Sequence, residues 1–451
     1  MVWTPTISDR QGPIYQRIVN ALADDIAAGR VHAGQTLPTH RSLAAALGVD
    51  VTTVTRAYTE AGRQGLTEAR VGRGTFVKGA SPASVRSAAS PGIDLSMNLP
   101  PFPANARFDS NLAHTLGEIR AGPGLSAYLT YRQAAGTASE RQIAADWLDP
   151  VLPGVAADRV LLAPGTQAAL YALLLQHAEP GGTILTEHLT FPGMKAAAEL
   201  AGITLAGVAM DGEGIIPEEL DRAARKHAAK LVYLMPTIHN PTTITMPEER
   251  RRRVARVIRE RDLMLIEDDP HAFLAPGHLP LSALIPERSY LAASLSKCIA
   301  PGFRISILVA PDAQAAEAVA TRLRAMLQMS VPLMVAVLTR WMRDGTALAI
   351  VNAVRTEATA RQTLARGILG PDHLVAHPQG LHAWVPLPDG LSAARFAADL
   401  HGRGLAVVTS DAFAADADPP SAIRLGLGAA QNRAQLVKAL EILSAALTAR
   451  L

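Results

Sequence analysis

Four short polar stretches of the chain carry the side chains best suited to chemistry, and each adjoins an apolar run. Pro164-Gly165-Thr166-Gln167 follows the run 160–163 and leads into a helical pattern. Free backbone N–H groups and the helix dipole at such a turn suit an anion. Asn240 follows the run 231–235, and Asp268 follows the run 263–266. In the fourth stretch, Ser296 and Pro301-Gly302-Phe303-Arg304 around Lys297 argue against an ordinary loop lysine, although no single signal here is specific.

Short apolar runs that alternate with amphipathic helical stretches would position these residues. We predict strands over 160–163, 183–186, 231–235, 263–266, 290–293 and 305–309, with helices between most of them, such as 247–261. This alternation predicts an α/β domain whose mostly parallel sheet has helices on both faces. Ligands of such sheets bind at the carboxyl ends of the strands. The arginine-rich stretch 248–259 is interpreted as the solvated face of a helix rather than a second DNA-binding surface.

Residues 1–79 have a different organisation. Apolar residues recur every four positions from Ile14 to Ile26, a second helix follows Pro38-Thr39, and Asp50 can cap a third. Two extended runs around Gly72-Arg73-Gly74 close the unit. Three helices and a two-stranded wing predict a winged helix-turn-helix whose third helix enters the major groove of DNA. The predicted DNA contacts are Arg41, Thr52, Thr53, Arg56 and, at the tip of the wing, Arg73.

The sequence of residues 1–79, which we call the head, resembles that of the DNA-binding domain of the GntR family. The resemblance rests on Pro13-Ile14-Tyr15, on 33–41, on Leu47-Gly48-Val49 and on 72–77. The family usually has Arg at the position of Val51, so a direct base contact is expected to be either missing or taken over by Arg56. Basic residues exceed acidic ones only modestly here, and charge alone would fit a solvated helical subdomain attached to an enzyme equally well.

Residues 93–451, which we call the body, resemble fold-type-I aminotransferases, which bind pyridoxal phosphate (PLP). The segment 294–304 matches their lysine segment, and joined to a GntR-type head the match is to the MocR/GabR regulators. The resemblance implies that Lys297 forms the internal aldimine with PLP, that Asp268 pairs with the ring nitrogen and that Asn240 bonds the ring hydroxyl. It implies the following further cofactor contacts: Gly165, Thr166, Gln167, Ser294 and Arg304 around the phosphate, Phe191 stacked on the ring, and His271 near the ring oxygen.

Two further matches concern partners of the site. Tyr131 matches a tyrosine that is donated to the phosphate across a head-to-tail homodimer, and Arg424 matches the arginine that binds a substrate carboxylate. The departures are Pro270 and His271 where a tyrosine is usual, Thr243 for glycine and Leu295 for phenylalanine. They are compatible with PLP binding and weaken the case for efficient transamination.

Length and composition limit the number of domains and the cellular compartment. A chain of 451 residues with 49% apolar residues is expected to form two or three domains, and its net charge of +3 does not argue for nucleic acid. Residues 80–92, rich in Ser, Ala and Pro, predict a flexible linker between the head and the body at 93–451. The single cysteine, Cys298, excludes an internal disulfide framework and fits a reducing compartment. No signal peptide, membrane span or metal site is predicted, and the cytoplasm is expected.

Three functions remain open on these grounds. The first is a PLP-dependent DNA-binding transcription regulator that senses PLP or a small amino compound through aldimine chemistry, with at most slow transamination. The second is a working aminotransferase with an accessory DNA-binding head. The third, a regulator whose body no longer binds PLP, is disfavoured because Lys297, Asp268, Asn240 and Arg304 are all present.

Overall fold

A computed structural model shows two compact units, residues 1–91 and 92–451. It describes residues 3–5, 13–27, 30–31, 35–63, 66–70, 74–77, 92–416 and 418–449. The predictions for Arg73 and for the linker up to residue 91 lie outside these ranges. No helix of the described residues is long and apolar enough to cross a membrane.

The first unit is a winged helix-turn-helix, as predicted. Its elements are α1 (Ile14–Ala27), α2 (His40–Leu47), α3 (Val51–Arg63), β1 (Thr67–Arg70) and β2 (Gly74–Val77). Thr39 caps α2 through the Ser42 N–H, and Gly48 ends it in the left-handed conformation. Asp50 accepts a hydrogen bond from the Thr52 N–H at the start of α3. The wing gains a further segment, because Leu37 donates its N–H to the Thr75 carbonyl and Val77 donates to that of Gln35.

The second unit is an α/β domain built on a seven-stranded sheet. The strands of this unit are β3 (Ile93–Asp94), β4 (Val160–Ala163), β5 (Thr183–Glu187), β6 (Thr204–Val208), β7 (Met210–Asp211), β8 (Gly214–Ile215), β9 (Leu231–Leu234), β10 (Met264–Asp268), β11 (Ser289–Ser294), β12 (Ser306–Val309), β13 (His382–Pro386), β14 (Leu405–Ala406), β15 (Val408–Thr409) and β16 (Ala422–Gly426). The large sheet has the order β4-β12-β11-β10-β9-β5-β6. Only β12 pairs antiparallel to its neighbours. The mostly parallel sheet is therefore confirmed.

Helices separate most of the strands. They are α4 (Phe108–Ala121), α5 (Ala138–Leu148), α6 (Thr166–His177), α7 (Pro192–Ala201), α8 (Pro217–His227), α9 (Glu248–Glu260), α10 (Leu281–Leu284), α11 (Ala313–Leu327), α12 (Pro332–Asp344), α13 (Thr346–Leu369), α14 (Ala393–Gly402) and α15 (Arg433–Thr448). Apolar clusters lie on both faces of the large sheet, one including Leu162 and Trp341 and another including Leu161 and Leu170. Adjacent residues of β4 thus face opposite layers.

A second, three-stranded antiparallel sheet of order β13-β16-β15 was not predicted. It packs with α13 and α15 around a separate apolar cluster that includes Phe396 and Leu440. Beside it, β3 and β14 form a two-stranded parallel pair that ties the start of the unit to its C-terminal part.

The prediction that the arginines of α9 face solvent is wrong for two of them, Arg250 and Arg251. Arg250 is 7% exposed and pairs with Asp211, while Arg251 is 2% exposed. Arg251 donates to the carbonyls of Pro236 and Met246 and lies 3.8 Å from a Glu267 carboxylate oxygen. A guanidinium is tolerated in a core where carbonyls and a carboxylate surround it. This helix therefore holds the loop that follows β9.

Candidate functional site

The register of the large sheet brings the predicted polar residues to one edge. Asp268 ends β10, Ser294 ends β11 and Ala163 ends β4. Ser306 at the start of the antiparallel strand β12 is paired with both Ser294 and Ala163. Arg304, two residues before Ser306, therefore lies at the same edge as the carboxyl ends of the parallel strands.

Half-buried Lys297 and buried Asp268 form the centre of the site. Burial lowers the pKa of the Lys297 amine to about 8, and the charges of Arg424 and Arg304 add to this while Asp268 opposes it. Burial raises the pKa of Asp268 to about 6, against a hydrogen bond from Tyr233 and the charge of Lys297. The Tyr233 hydroxyl donates to Asp268 Oδ2 at 2.8 Å, while no described residue donates to the buried Oδ1. The centre thus contains an amine that is partly neutral near pH 8 and a carboxylate oxygen that still lacks a donor.

Gly165 and Arg304 form a contact at the start of α6. Gly165 has a φ of +88°, and a Cβ there would lie 2.4 Å from Arg304 Nη2. Only glycine allows the guanidinium to lie against this turn. Thr166, the first residue of α6, donates its hydroxyl to Ser306 at 3.1 Å. Helix N–H groups and the Arg304 guanidinium, which has no hydrogen-bond or ion-pair partner in the described part of the chain, suit a phosphate.

Arg424, on β16 of the smaller sheet, reaches the loop after β9. Its Nη1 donates to Asn240 Oδ1 at 2.9 Å and its Nη2 to the Ser96 carbonyl at 2.6 Å, whereas the buried Nε finds no acceptor within the described chain. Burial lowers the pKa of Arg424 to about 10. The guanidinium carbon lies 5.0 Å from the ring centroid of Phe413. A desolvated cation with spare donor capacity can bind a carboxylate.

Two buried imidazoles belong to the same region, and the charge of Lys297 acts on one of them, His271. His271 is 1% exposed, and neither of its ring nitrogens has a hydrogen-bond partner among the described residues. Burial lowers its pKa to about 3. Its ring centroid lies 5.6 Å from that of His382, whose pKa burial also depresses. Both rings are therefore neutral at physiological pH, so neither adds positive charge to the site.

Three further predicted cofactor contacts are Phe191 and Gln167, which lie together, and the exposed Tyr131. Phe191 precedes α7, and Gln167 Nε2 donates to the Gly193 carbonyl beside it. A Cβ on Gly193 would lie 2.2 Å from the Phe191 ring and 2.3 Å from Gln167 Oε1, so these two side chains meet over a glycine. Tyr131 is 84% exposed, and the chain does not bring it to the buried centre.

Three residues near the centre were not predicted. Tyr233, inside β9, is paired with Ile266 of β10, and its hydrogen bond to Asp268 could only be found once the register of these two strands was known. The Lys297 amine donates to the backbone carbonyl of Asn98, and the Ser96 carbonyl accepts from Arg424. Carbonyls are common to all residues, so side-chain types gave no signal for Ser96 or Asn98.

In the head, four predicted DNA contacts are described. Arg41, Thr52 and Arg56 are exposed and Thr53 is half-buried. The Thr52 hydroxyl donates to Asp50, and the Arg56 guanidinium lies 4.2 Å from the Tyr15 ring centroid. Arg41 is an exposed cation for which the described residues of the head provide neither kind of contact.

Comparisons with known proteins agree with both units. Residues 90–443 match the family described as aminotransferase class I and II, and residues 14–77 match the bacterial regulatory proteins of the gntR family. The HTH-type transcriptional regulator YdeF of Bacillus subtilis is 28% identical over 447 residues, which cover 98% of this chain and 96% of YdeF. The vitamin B6 salvage pathway transcriptional repressor PtsJ of Salmonella typhimurium is 28% identical over 428 residues, 92% of this chain and 94% of PtsJ.

A solved structure supports the fold of the body. The α-aminoadipate aminotransferase LysN of Thermus thermophilus, in complex with N-(5'-phosphopyridoxyl)-L-leucine, superposes with a TM-score of 0.71 at 23% identity. The match covers 79% of this chain and 92% of LysN. At this identity the likeness establishes the fold of the second unit.

Proposed function

Because the chain belongs to the class I and II aminotransferase family and carries a head of the gntR family, we propose that it is a transcription regulator of the MocR type. The head, residues 1–79, binds operator DNA. The body, residues 93–451, senses PLP or an amino compound that reacts with it, and residues 80–92 connect the two. The observation that carries the proposal is the meeting of Lys297, Asp268 and Arg424 in one buried site of a chain that begins with a winged helix.

The residues of the site fit PLP. Asp268 Oδ1 is a buried acceptor that a protonated ring nitrogen would satisfy, and the Gly165 turn with Arg304 offers N–H donors to a phosphate. Lys297 would hold the aldehyde carbon, and Asn240 the ring hydroxyl. Ser294, Thr166, Gln167, Phe191 and His271 complete the proposed contacts. When bound, the group supplies an electron sink for bonds at an amine-bearing carbon.

The chain's own side chains prepare this site for an amino compound. The lowered pKa of Lys297 leaves part of the amine neutral, as a nucleophile requires. Arg424 binds the carboxylate of the effector, and its burial strengthens that interaction by excluding water. Such an effector competes with Lys297 for the cofactor. A ligand that interacts differently with two conformations shifts their populations, and loss of the lysine bond is such a difference.

The active form is a head-to-tail homodimer in the cytoplasm. Leu129 and Tyr131 are 81% and 84% exposed, which leaves both side chains available to a second copy. In the dimer, Tyr131 would reach the phosphate bound by the partner. Two heads would contact two half-sites, and this doubles the contacts that one winged helix makes. Arg41, Thr52, Thr53, Arg56 and Arg73 are the proposed DNA contacts.

The experiment that tests the regulator is the recovery of DNA fragments from the organism's genome by the full-length protein, followed by gel shifts on the enriched site. The full chain should bind that site, and Arg41→Ala in α2 should weaken binding while leaving the fold intact. Arg395→Ala on α14 of the body is the matched control and should bind normally. Equal binding by a chain that lacks residues 1–79 contradicts the role of the head.

The second candidate, a working aminotransferase with an accessory head, is favoured by the retention of Lys297, Asp268 and Arg424 together. It differs from the regulator in one measurable property, because it must produce an oxo acid with sustained turnover from some pair of amino donor and acceptor. The regulator needs only a single exchange at Lys297.

A further inference from the structure

The first residues of the body form a segment that runs along the smaller sheet into the site; we call residues 93–99 the entry segment. Ile93 and Leu95 donate their N–H groups to the carbonyls of Gly404 and Ala406, each at 2.9 Å, and Leu95 accepts from Gly426 at 2.8 Å. Just before it, Gly92 is the first residue of the second unit.

The entry segment lies directly on the backbone of the last strand. A Cβ on Gly426 would lie 2.1 Å from the Met97 carbonyl oxygen, and one on Gly428 would lie 1.9 Å from that of Leu99. No side chain separates the two backbones at these points. The position of the segment is therefore tied to that of β16, which carries Arg424.

Two of the cations proposed to bind ligands, Arg424 and Lys297, donate to this segment. Arg424 Nη2 donates to the Ser96 carbonyl at 2.6 Å, and the Lys297 amine donates to the Asn98 carbonyl. Hydrogen bonds with a charged donor are among the stronger ones in proteins. The donors that hold residues 96 and 98 are thus the groups whose bonding a cofactor and an effector would change.

The side chain of Asn98 is fixed by an imidazole of known tautomer. His382 Nε2 lies 3.1 Å from the His239 carbonyl, which can only accept, so Nε2 carries the hydrogen. The other nitrogen, Nδ1, must then accept the hydrogen bond from the Asn98 amide at 3.2 Å. This arrangement directs Asn98 Oδ1 away from the imidazole, and that buried oxygen has no hydrogen-bond partner in the ranges that the structure describes. Asn98 is consequently held from two sides and offers one free acceptor.

We propose that the entry segment reports the occupancy of the site to the rest of the chain, with Ser96 and Asn98 as its contacts. The inference rests on the proposed function. When the neutral Lys297 amine condenses with an aldehyde, a C=N bond forms, and both N–H hydrogens leave with the aldehyde oxygen as water. The nitrogen then no longer donates to Asn98. A carboxylate at Arg424 competes in the same way for the donor that holds Ser96.

Hydrogen–deuterium exchange of the full-length protein, read by mass spectrometry on peptides covering 93–99, tests the coupling with PLP as the probe. Loading is followed separately by the absorbance of protein-bound PLP. Loss of a charge-assisted hydrogen bond predicts at least about tenfold faster exchange of these amides once PLP is loaded. Unchanged or slower exchange in fully loaded protein overturns the inference and leaves the proposed cofactor intact.

Two variants keep the test decisive. Lys297→Ala removes the donor, so its entry segment should exchange fast with or without PLP. Lys195→Ala is the matched control, since this lysine also donates to backbone carbonyls, those of Asp411 and Ala412, outside the segment. It should exchange like the unsubstituted chain. If PLP does not load at all, the proposed cofactor fails, and slow exchange of the segment in Lys297→Ala would still refute the coupling.

Discussion

Replacing Arg424 by Gln should move the pH at which Lys297 captures PLP. Burial is the main cause of the lowered Lys297 pKa, and the charge of Arg424 is the next. Capture requires the neutral amine, so its rate should rise with pH and level off above the pKa, near 8 in the unsubstituted protein. Without the Arg424 charge the pKa rises, and the inflection moves to higher pH.

The size of the effect has an upper limit. At about pH 7.5 an amine with the pKa of Lys297 is neutral in roughly a quarter of the molecules, against about 0.1% for an ordinary lysine, a difference of roughly 200-fold. Burial remains in the variant and accounts for the larger share. We therefore expect capture about three- to tenfold slower at this pH, which corresponds to a pKa shift of up to about one unit.

The assay is the absorbance change when PLP is mixed with cofactor-free protein in amine-free buffers across the neutral and alkaline range. The ionisations of free PLP are common to all variants, so the difference between curves belongs to the protein. Arg424→Lys preserves the charge and should retain the inflection near 8. A common inflection in Arg424→Gln and the unsubstituted chain would refute the electrostatic role of Arg424. A rate that rises without levelling off up to about pH 10 would refute the lowered pKa itself.

Three further outcomes are expected. The purified protein should be yellow with PLP and yield a lysine adduct on borohydride reduction. The Lys297→Ala variant should remain folded and colourless. An unsubstituted protein that stays colourless in excess PLP would exclude the cofactor. Arg304→Ala should retain PLP about 10- to 100-fold more weakly, as measured by equilibrium dialysis, because a guanidinium bond to a charged group is lost. Typical enzymes turn over about ten times per second; oxo-acid production from a panel of amino acids and amines should be slower by orders of magnitude, and an ordinary enzyme rate on any pair would favour the aminotransferase.

The strands of the large sheet were predictable where the chain is buried on both faces. The run 160–163 is 0–1% exposed throughout, so its apolar residues mark the whole of β4. In contrast, β6 was missed because four of its five residues are partly or fully exposed and Gly207 interrupts the apolar pattern. The smaller sheet was missed because β15 has two residues and because Pro386 ends β13.

The same distinction applies to the site. Side chains with their own chemistry, such as Lys297 and Asp268, could be named from the sequence because they occupy recognisable positions after strands. Arg251 was assigned to solvent because helical periodicity registers apolar residues and not the carbonyls that surround a buried cation. His271 was predicted as a ring contact, but its neutrality depends on burial and on the charge of Lys297, which only the folded chain brings together.

Cys298, the single cysteine of the chain, lies next to Lys297 and is fully buried, and burial raises its pKa to about 12. A thiol that is neither accessible nor ionised reacts poorly with maleimides and other alkylating reagents. One cysteine introduced on the surface of the head, for example at the exposed Asn20, would therefore carry a spectroscopic label without competition from the native thiol. In a homodimer the two labels would report the distance between the heads directly, with and without DNA or an amino compound.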